Sequence, residues 1–256
     1  MNQATKPTVL ITGAAVRIGR VIAIDFARHG WDVALHYNNS KADIESVAHE
    51  IETLGRRAVI LKADFNELEE VQGLVADCRT ALGPANCLVN NSSVFLKDEP
   101  DTLKEDQWNT QLNINLKAPV FLSQSFARQM PDTENGNIIN IIDQRVLKLT
   151  PLFFSYTISK AALWTATQTL AQALAPRIRV NAIGPGPVLQ SVYQTPEIFK
   201  NQKKLLPLEL STNPQEIADA IRFILDAPSM TGQMIALDGG QHIAWKTPDV
   251  ATGEDF

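Results

Sequence analysis

Short apolar, β-branched runs alternate with helical patterns about seven times along this chain, and no other feature restricts its fold so tightly. The runs are TVLIT at 8–12, DVALHY at 32–37, AVILKA at 58–63, NCLVN at 86–90, NIINII at 137–142, IRVNAI at 178–183 and QMIAL at 233–237. Between them lie helical patterns: to about His29, over 41–54, from about Glu67 to Leu82, over roughly 102–130 with a polar break near 113, over 154–175 and at about 213–226. In 41–54, Ile44, Val47, Ile51 and Leu54 recur at helical spacing. Strands that are apolar on both faces must be covered on both sides. Strict alternation with helices therefore predicts an α/β chain, doubly wound around a parallel sheet of about seven strands. No repeat, charge block or linker divides it, so residues 1–256 read as a single domain. The stretch 184–212 holds Pro185, Pro187, Pro196 and Pro207 and reads as irregular. Long connections of this kind are often lids over a site. A short polar tail is expected after Gly240.

Composition removes several function classes. Apolar residues are 45% of the chain and charged residues 20%, enough for a sizeable core. A net charge of −5 disfavours a nucleic-acid partner. No apolar run reaches the roughly 18 residues that a membrane span requires. The start, MNQATKPTVLITGAA, lacks the basic and apolar regions of a signal peptide. Cys78 and Cys87 are expected to be buried free thiols, and His29, His36, His49 and His242 show no metal-ligand spacing. A cytoplasmic, metal-free protein is the expectation.

Ligands of open parallel sheets lie beyond the carboxyl ends of the strands. The first such end here is Thr12-Gly13-Ala14-Ala15-Val16-Arg17-Ile18-Gly19. Gly13 permits a tight turn, Gly19 close helix–sheet packing, and the helix that follows offers N–H groups to a phosphate. An NAD enzyme usually carries an acid at the second strand end for the ribose hydroxyls. Residues 33–42, VALHYNNSKA, contain none. His36, Asn38, Ser40 and Lys41, with Arg17, suit an extra 2′-phosphate and so NADP(H). The alternatives are a solvated Arg17 and a plain polar loop at 38–40.

Further along stand Asp64, Asn90-Asn91, Asn115, Tyr156-Thr157-Ile158-Ser159-Lys160, Asn181 through Pro185-Gly186, and Leu237-Asp238-Gly239-Gly240. In this order, with the first turn, they resemble the short-chain dehydrogenase/reductase superfamily over nearly the whole chain. The resemblance implies a Rossmann-type fold and a homotetramer, with helices near 103–130 and 154–175 packing across subunits. The departures from its usual pattern are specific. Arg17 replaces the middle glycine of the first turn, Asn90-Asn91-Ser92-Ser93 replaces Asn-Asn-Ala-Gly, and Asp143 replaces the serine thirteen residues before the tyrosine. Together with His36-Tyr37, these look like the pteridine reductases, including dihydromonapterin-type members. Val94, where that family often has a second serine, departs from it.

The resemblance implies a cofactor shell of Gly13, Arg17, Ile18, Gly19, His36, Tyr37, Asn38, Asn39, Ser40, Asp64, Phe65, Asn91, Ser92, Ser93, Tyr156, Lys160, Pro185 and Gly186. It implies that Arg17 grips cofactor phosphate, that Asp64 meets the adenine, and that Phe95 stacks on the pterin with Ser93, Asp143 and Tyr156 beside it. Tyr156 and Lys160, four apart, share a helix face. The ammonium, with an oxidised nicotinamide, is expected to lower the Tyr156 pKa, while Asn115 supports a water linking Lys160 to solvent. A carboxylate at 143 has only acceptors and would repel a developing oxyanion, so a nitrogen heterocycle fits better than a ketone. Asp143 and Asp64 can also be read as caps, Phe95 as core packing and Ser93 as a turn residue. The expected activity is NADPH-dependent reduction of a pterin or dihydropterin C=N bond. The alternatives are a carbonyl reductase of 3-oxoacyl thioesters or small ketones, and an NADP(H)-binding regulator without turnover.

Overall fold

A computed structural model describes residues 6–245; residues 1–5 of the leader reading and the polar tail beyond 245 lie outside the described residues. The seven apolar runs form one parallel sheet: β1 (Thr8–Ile11), β2 (Asp32–Tyr37), β3 (Ala58–Lys62), β4 (Cys87–Asn90), β5 (Gly136–Ile141), β6 (Ile178–Pro185) and β7 (Met234–Leu237). Their spatial order is β3-β2-β1-β4-β5-β6-β7. The chain reverses its direction of build between β1 and β4, and the carboxyl ends there open into a crevice.

Alternate residues of each strand enter different cores. Val9, Ile11, Val89 and Ile139 pack under α1 (Arg17–Arg28), α2 (Lys41–Thr53) and α8 (Pro214–Asp226). Leu10, Leu88, Ile138 and Val180 pack under α3 (Leu68–Leu82), α5 (Ala118–Gln129) and α6 (Phe154–Leu174). The period-2 geometry of a strand delivers these two faces, and both are dry because both carry helices. Cys78 and Cys87 are free and buried, and burial pushes the Cys78 thiol up to about 12. Among the described residues, no helix is long and apolar enough to cross a membrane.

Two stretches differ from the sequence reading. The polar break near 113 is a π-helical turn, Asn113–Lys117, joining α4 (Glu105–Leu112) to α5. The stretch 184–212 is not irregular throughout, since α7 (Pro196–Lys204) lies inside it. Pro196 occupies its first turn, where a missing N–H costs nothing, and Thr195 Oγ1 accepts from Ile198 N at 3.2 Å.

His36 holds the first turn from below. It is 3% exposed and stacks on Phe65 with ring centroids 4.2 Å apart. Gly13 N donates to its Nδ1 at 3.1 Å, and its Nε2 lies 3.0 Å from Ala63 O, so the ring is a neutral Nε2–H tautomer. Burial lowers its pKa to about 4. It is therefore a structural neutral imidazole, not the cation or free donor that the sequence suggested. Its acid-state cost appears as pH falls below the ordinary 6.5 and is complete below about 4. Relative to His36→Gln, which keeps one acceptor and one donor, the wild type is expected to lose about 3 kcal/mol of stability across that window. Urea unfolding of both proteins from pH 7 to 4 measures it; a constant difference contradicts the assignment.

Candidate active site

The first turn is a backbone junction. Gly13 has φ +64°, and a Cβ on Gly19 would sit 2.0 Å from Gly13 O, so no side chain is tolerated there. Thr12 Oγ1 accepts from Asn91 N and Ser92 N, each at 2.9 Å. Asn91 Nδ2 donates to Thr12 O at 2.9 Å and Gly13 O at 3.1 Å. These bonds lock the ends of β1 and β4 together on either side of the crevice. Arg17 has φ +54°, a left-handed backbone at the place where the related pattern has glycine. Its guanidinium donates to Leu189 O at 3.2 Å and Gln190 O at 3.1 Å, tying the turn to the stretch before α7.

Above this junction lies a cavity of about 450 Å³. Gly13, Arg17, Ile18, Gly19, His36, Tyr37, Asn38, Asn39, Ser40, Phe65, Asn91, Ser92 and Ser93 line it, and its wall holds no carboxylate among the described residues. Asp64 is off this wall. Its Oδ1 accepts from Asn66 N at 2.9 Å, a side-chain turn ahead of α3 that holds the carboxyl below its ordinary range. The lining also includes Ala15 of the first turn and Val94, both outside the expected cofactor shell, and Ile114, which carries no spacing signal.

A second cavity, of about 520 Å³, shares Arg17, Ile18, Asn91 and Ser93 with the first and continues to Phe95, Asp143, Tyr156, Lys160, Pro185 and Gly186. Tyr156 Oη donates to Asp143 Oδ2 at 2.9 Å. Asp143 Oδ1 accepts from Arg145 N at 2.8 Å and caps a short 3₁₀ turn, Gln144–Val146. The cap and the active-site roles thus coexist in one carboxylate. Lys160, 2% exposed, donates to Ile141 O at 2.9 Å, with its Nζ 5.8 Å from the Tyr156 ring centroid.

Burial displaces all three groups. Desolvation raises the Asp143 pKa and lowers Lys160 to about 8. Tyr156 rises well above 10, first through burial and then through the Asp143 charge. Tyr156 is thus shifted opposite to the expected lowering, because Asp143 is the nearer charge and holds the phenol protonated.

Asn115 lies in the π-helical turn and is wholly buried. Its Oδ1 accepts from Ser93 Oγ at 3.0 Å and Val94 N at 2.9 Å, and its Nδ2 donates to Val94 O at 2.9 Å and Ser159 Oγ at 3.1 Å. The side chain therefore clamps the loop after β4 to α6. A second clamp lies at the start of α6. Asp98 O accepts from Phe153 N at 2.9 Å, and its carboxylate accepts from Ser155 N at 3.2 Å and from Ser155 Oγ. Gln111 Nε2 donates to the same Ser155 Oγ.

Phe95 stacks on Phe153 with centroids 3.9 Å apart and meets Tyr156 edge-on at 4.7 Å. One face of Phe95 is thus already covered. Phe153, with φ +57°, Tyr193 and Arg145 were all missed from sequence. Phe153 lies one helical turn before Tyr156, a faint signal; Tyr193 and Arg145 carried none.

A family model described as Enoyl-(Acyl carrier protein) reductase matches residues 13–242, and the chain belongs to this short-chain dehydrogenase/reductase family. The crystal structure of FolM alternative dihydrofolate reductase 1 from Brucella suis, in complex with NADP, superposes with a TM-score of 0.93. It is 48% identical and covers 95% of this chain and 98% of its own. The NAD-dependent glycerol dehydrogenase of Listeria innocua is 31% identical over 93% of this chain and 95% of its own length. The 3-oxoacyl-[acyl-carrier-protein] reductase FabG of Staphylococcus epidermidis is 29% identical over 92% of this chain and 99% of its own.

The folded pKa of Lys160 near 8 against an ordinary 10.5 means that stability rises with pH through this interval, as the ammonium is lost from the unfolded chain. Against Lys160→Met, the wild type is expected to gain about 3 kcal/mol between these limits. Chemical unfolding of both proteins from pH 8 to 10.5 tests this, and parallel curves contradict it.

Proposed function

We propose that this chain is an NADP(H)-dependent reductase that delivers hydride to a C=N bond of a pterin or dihydropterin. The observation that carries the reading is the 2.9 Å bond from Tyr156 Oη to the desolvated Asp143 carboxylate beside Phe95. A ketone reductase needs a hydrogen-bond donor for its developing oxyanion. This position holds an acceptor instead, suited to ring N–H groups or to holding a proton for a ring nitrogen. The greater identity to FolM, 48% against 29% for FabG, supports the same choice.

The carboxylate-free wall of the first cavity and the cation of Arg17 fit a nucleotide with an extra phosphate. Gly13, Ile18 and Gly19 would admit its pyrophosphate, with Tyr37, Asn38, Asn39 and Ser40 toward the 2′-phosphate. When bound, a reduced nicotinamide supplies the hydride. Tyr156 gives its phenolic proton to the substrate nitrogen; the Asp143 carboxylate, which accepts from Tyr156, orients that phenol, and the Lys160 ammonium returns a proton to the phenolate. Lys160 would also hold the ribose. The stretch 184–212 closes over the substrate. The working assembly is a homotetramer in the cytoplasm.

NADPH oxidation with dihydrobiopterin, dihydrofolate and an acetoacetyl thioester tests the substrate. Good turnover of the thioester and none of either pterin would leave only the carbonyl-reductase reading. Tyr156→Phe is expected to retain NADPH binding and lose roughly 10²- to 10⁴-fold in turnover. Asp143→Ser is expected to lower pterin reduction while activity on simple ketones holds or rises, since a donor replaces an acceptor. A Ser variant with pterin turnover intact would remove Asp143 from the mechanism.

NADPH is expected to be preferred over NADH, and Arg17→Gly with an acid at Tyr37 or Asn38 is expected to shift that preference toward NADH. A charged contact of about 1.5–3 kcal/mol corresponds to a shift of about 10- to 150-fold in the ratio of kcat/KM. Equal kcat/KM for both cofactors in the wild type would overturn the assignment.

A further inference from the structure

Arg145 stands where the acid of the site meets its aromatic wall. Its backbone N donates to Asp143 Oδ1 at 2.8 Å, and its Nε lies 4.0 Å from the same oxygen. Its guanidinium carbon is 5.4 Å from the Phe95 centroid and 5.2 Å from that of Phe153. Nη1 donates to Leu152 O at 3.4 Å, in the segment that leads into α6. The side chain is 21% exposed, so water screens this charge less than it screens a surface arginine. One planar cation therefore touches the carboxylate, both rings of the stack and the backbone before Tyr156.

We propose that Arg145 is a positioning residue for the reduction: its charge keeps the Asp143–Tyr156 pair poised for proton transfer, and its plane fixes the Phe95–Phe153 wall. The inference rests on the reading of Asp143 and Tyr156 as the proton-handling pair.

The charged and titratable neighbours can be separated. Asp143 faces Arg145 on its own loop and Tyr156 and Lys160 on α6; across the cavity stand Arg17 and Lys97, with Ser93 the polar neighbour on the loop after β4. Lys160 is committed to Ile141 O, and Arg17 to Leu189 O and Gln190 O. Arg145 is the cation whose backbone and side chain both address Asp143 Oδ1. A cation at this separation favours ionised Asp143 and ionised Tyr156 alike. Its loss moves the titration of the coupled pair to higher pH, and the pair titrates as one macroscopic system.

The test compares Arg145→Met, which keeps an apolar stem without charge, with Arg145→Lys, which keeps charge without the plane. The kcat/KM profile from pH 6 to 11 is recorded on whichever pterin or carbonyl compound the wild type reduces. In Arg145→Met the alkaline limb is expected to move up by about one pH unit. In Arg145→Lys the limb is expected to stay at the wild-type position while KM rises several-fold through the loosened wall. Thermal melting and NADPH fluorescence identify folded, cofactor-competent protein, and Arg145→Gln replaces the Met variant if that fails to fold. An unmoved limb in the charge-free variant overturns the proposal, as does a Lys variant whose limb moves with the Met variant. Failure of every pterin overturns only the substrate reading, because the limb is read on the compound that turns over.

Discussion

The bond between buried Tyr156 and half-buried Asp143 is the constraint around which this site is arranged. A phenol and a carboxylate at 2.9 Å, with an ammonium under the same ring, are stable together only if the protons are shared out among them. Desolvation drives each group toward its neutral form: Asp143 up, Tyr156 up and Lys160 down. Full ionisation of all three would leave two buried anions facing one cation, at a cost far above that of any hydrogen bond in the site. The site thus holds its protons through the burial of Tyr156 and Lys160, and what enters the cavity decides where the protons go.

Holding that bond requires rigidity from elements that carry no chemistry. Tyr156 lies on the first turn of α6, where a helix would ordinarily fray. Phe153, directly before the helix, has a left-handed backbone and no capping side chain. Asp98 supplies the missing acceptors through its carbonyl and carboxylate, and Gln111 satisfies the same serine from α4. Asn115 performs the parallel task one turn further along, between Val94 and Ser159. The loop bearing Phe95 and the helix bearing Tyr156 are therefore fastened at two points, and their edge-on contact follows from that. Both clamps are buried and hydrogen-bonded on several sides, as low-dielectric networks must be to hold one geometry.

Much of this was legible in the chain itself. Seven apolar runs form seven strands because double burial leaves an unmistakable pattern, and the order Gly13, Asn91, Tyr156, Lys160 marks the crevice. The failures have physical reasons. Pro196 reads from sequence as part of an irregular connection, although Thr195-Pro196-Glu197 is a cap, a first-turn proline and a first-turn acid. His36 was read by its chemistry at a strand end, but period-2 geometry turned it inward, where burial neutralised it. Tyr193 and Arg145 were invisible because tertiary contact alone gathers them around Phe95, and no periodicity links a loop after β5 to one after β6.

Arg17 shows how a departure from a pattern can keep the pattern's backbone. A left-handed residue other than glycine costs roughly 1–2 kcal/mol. Arg17 adopts that conformation all the same, at φ +54°. The strain is maintained by the surroundings: Gly19 packed against Gly13 O on one side, and two carbonyls of the stretch before α7 on the other. The same side chain lies on the walls of both cavities. Any anion that takes the guanidinium in the first cavity must compete with, or share it with, the carbonyls of Leu189 and Gln190. Occupancy of the first cavity is thereby coupled through one arginine to the segment bordering the second. A glycine at this position would relieve the strain and remove that coupling in the same substitution.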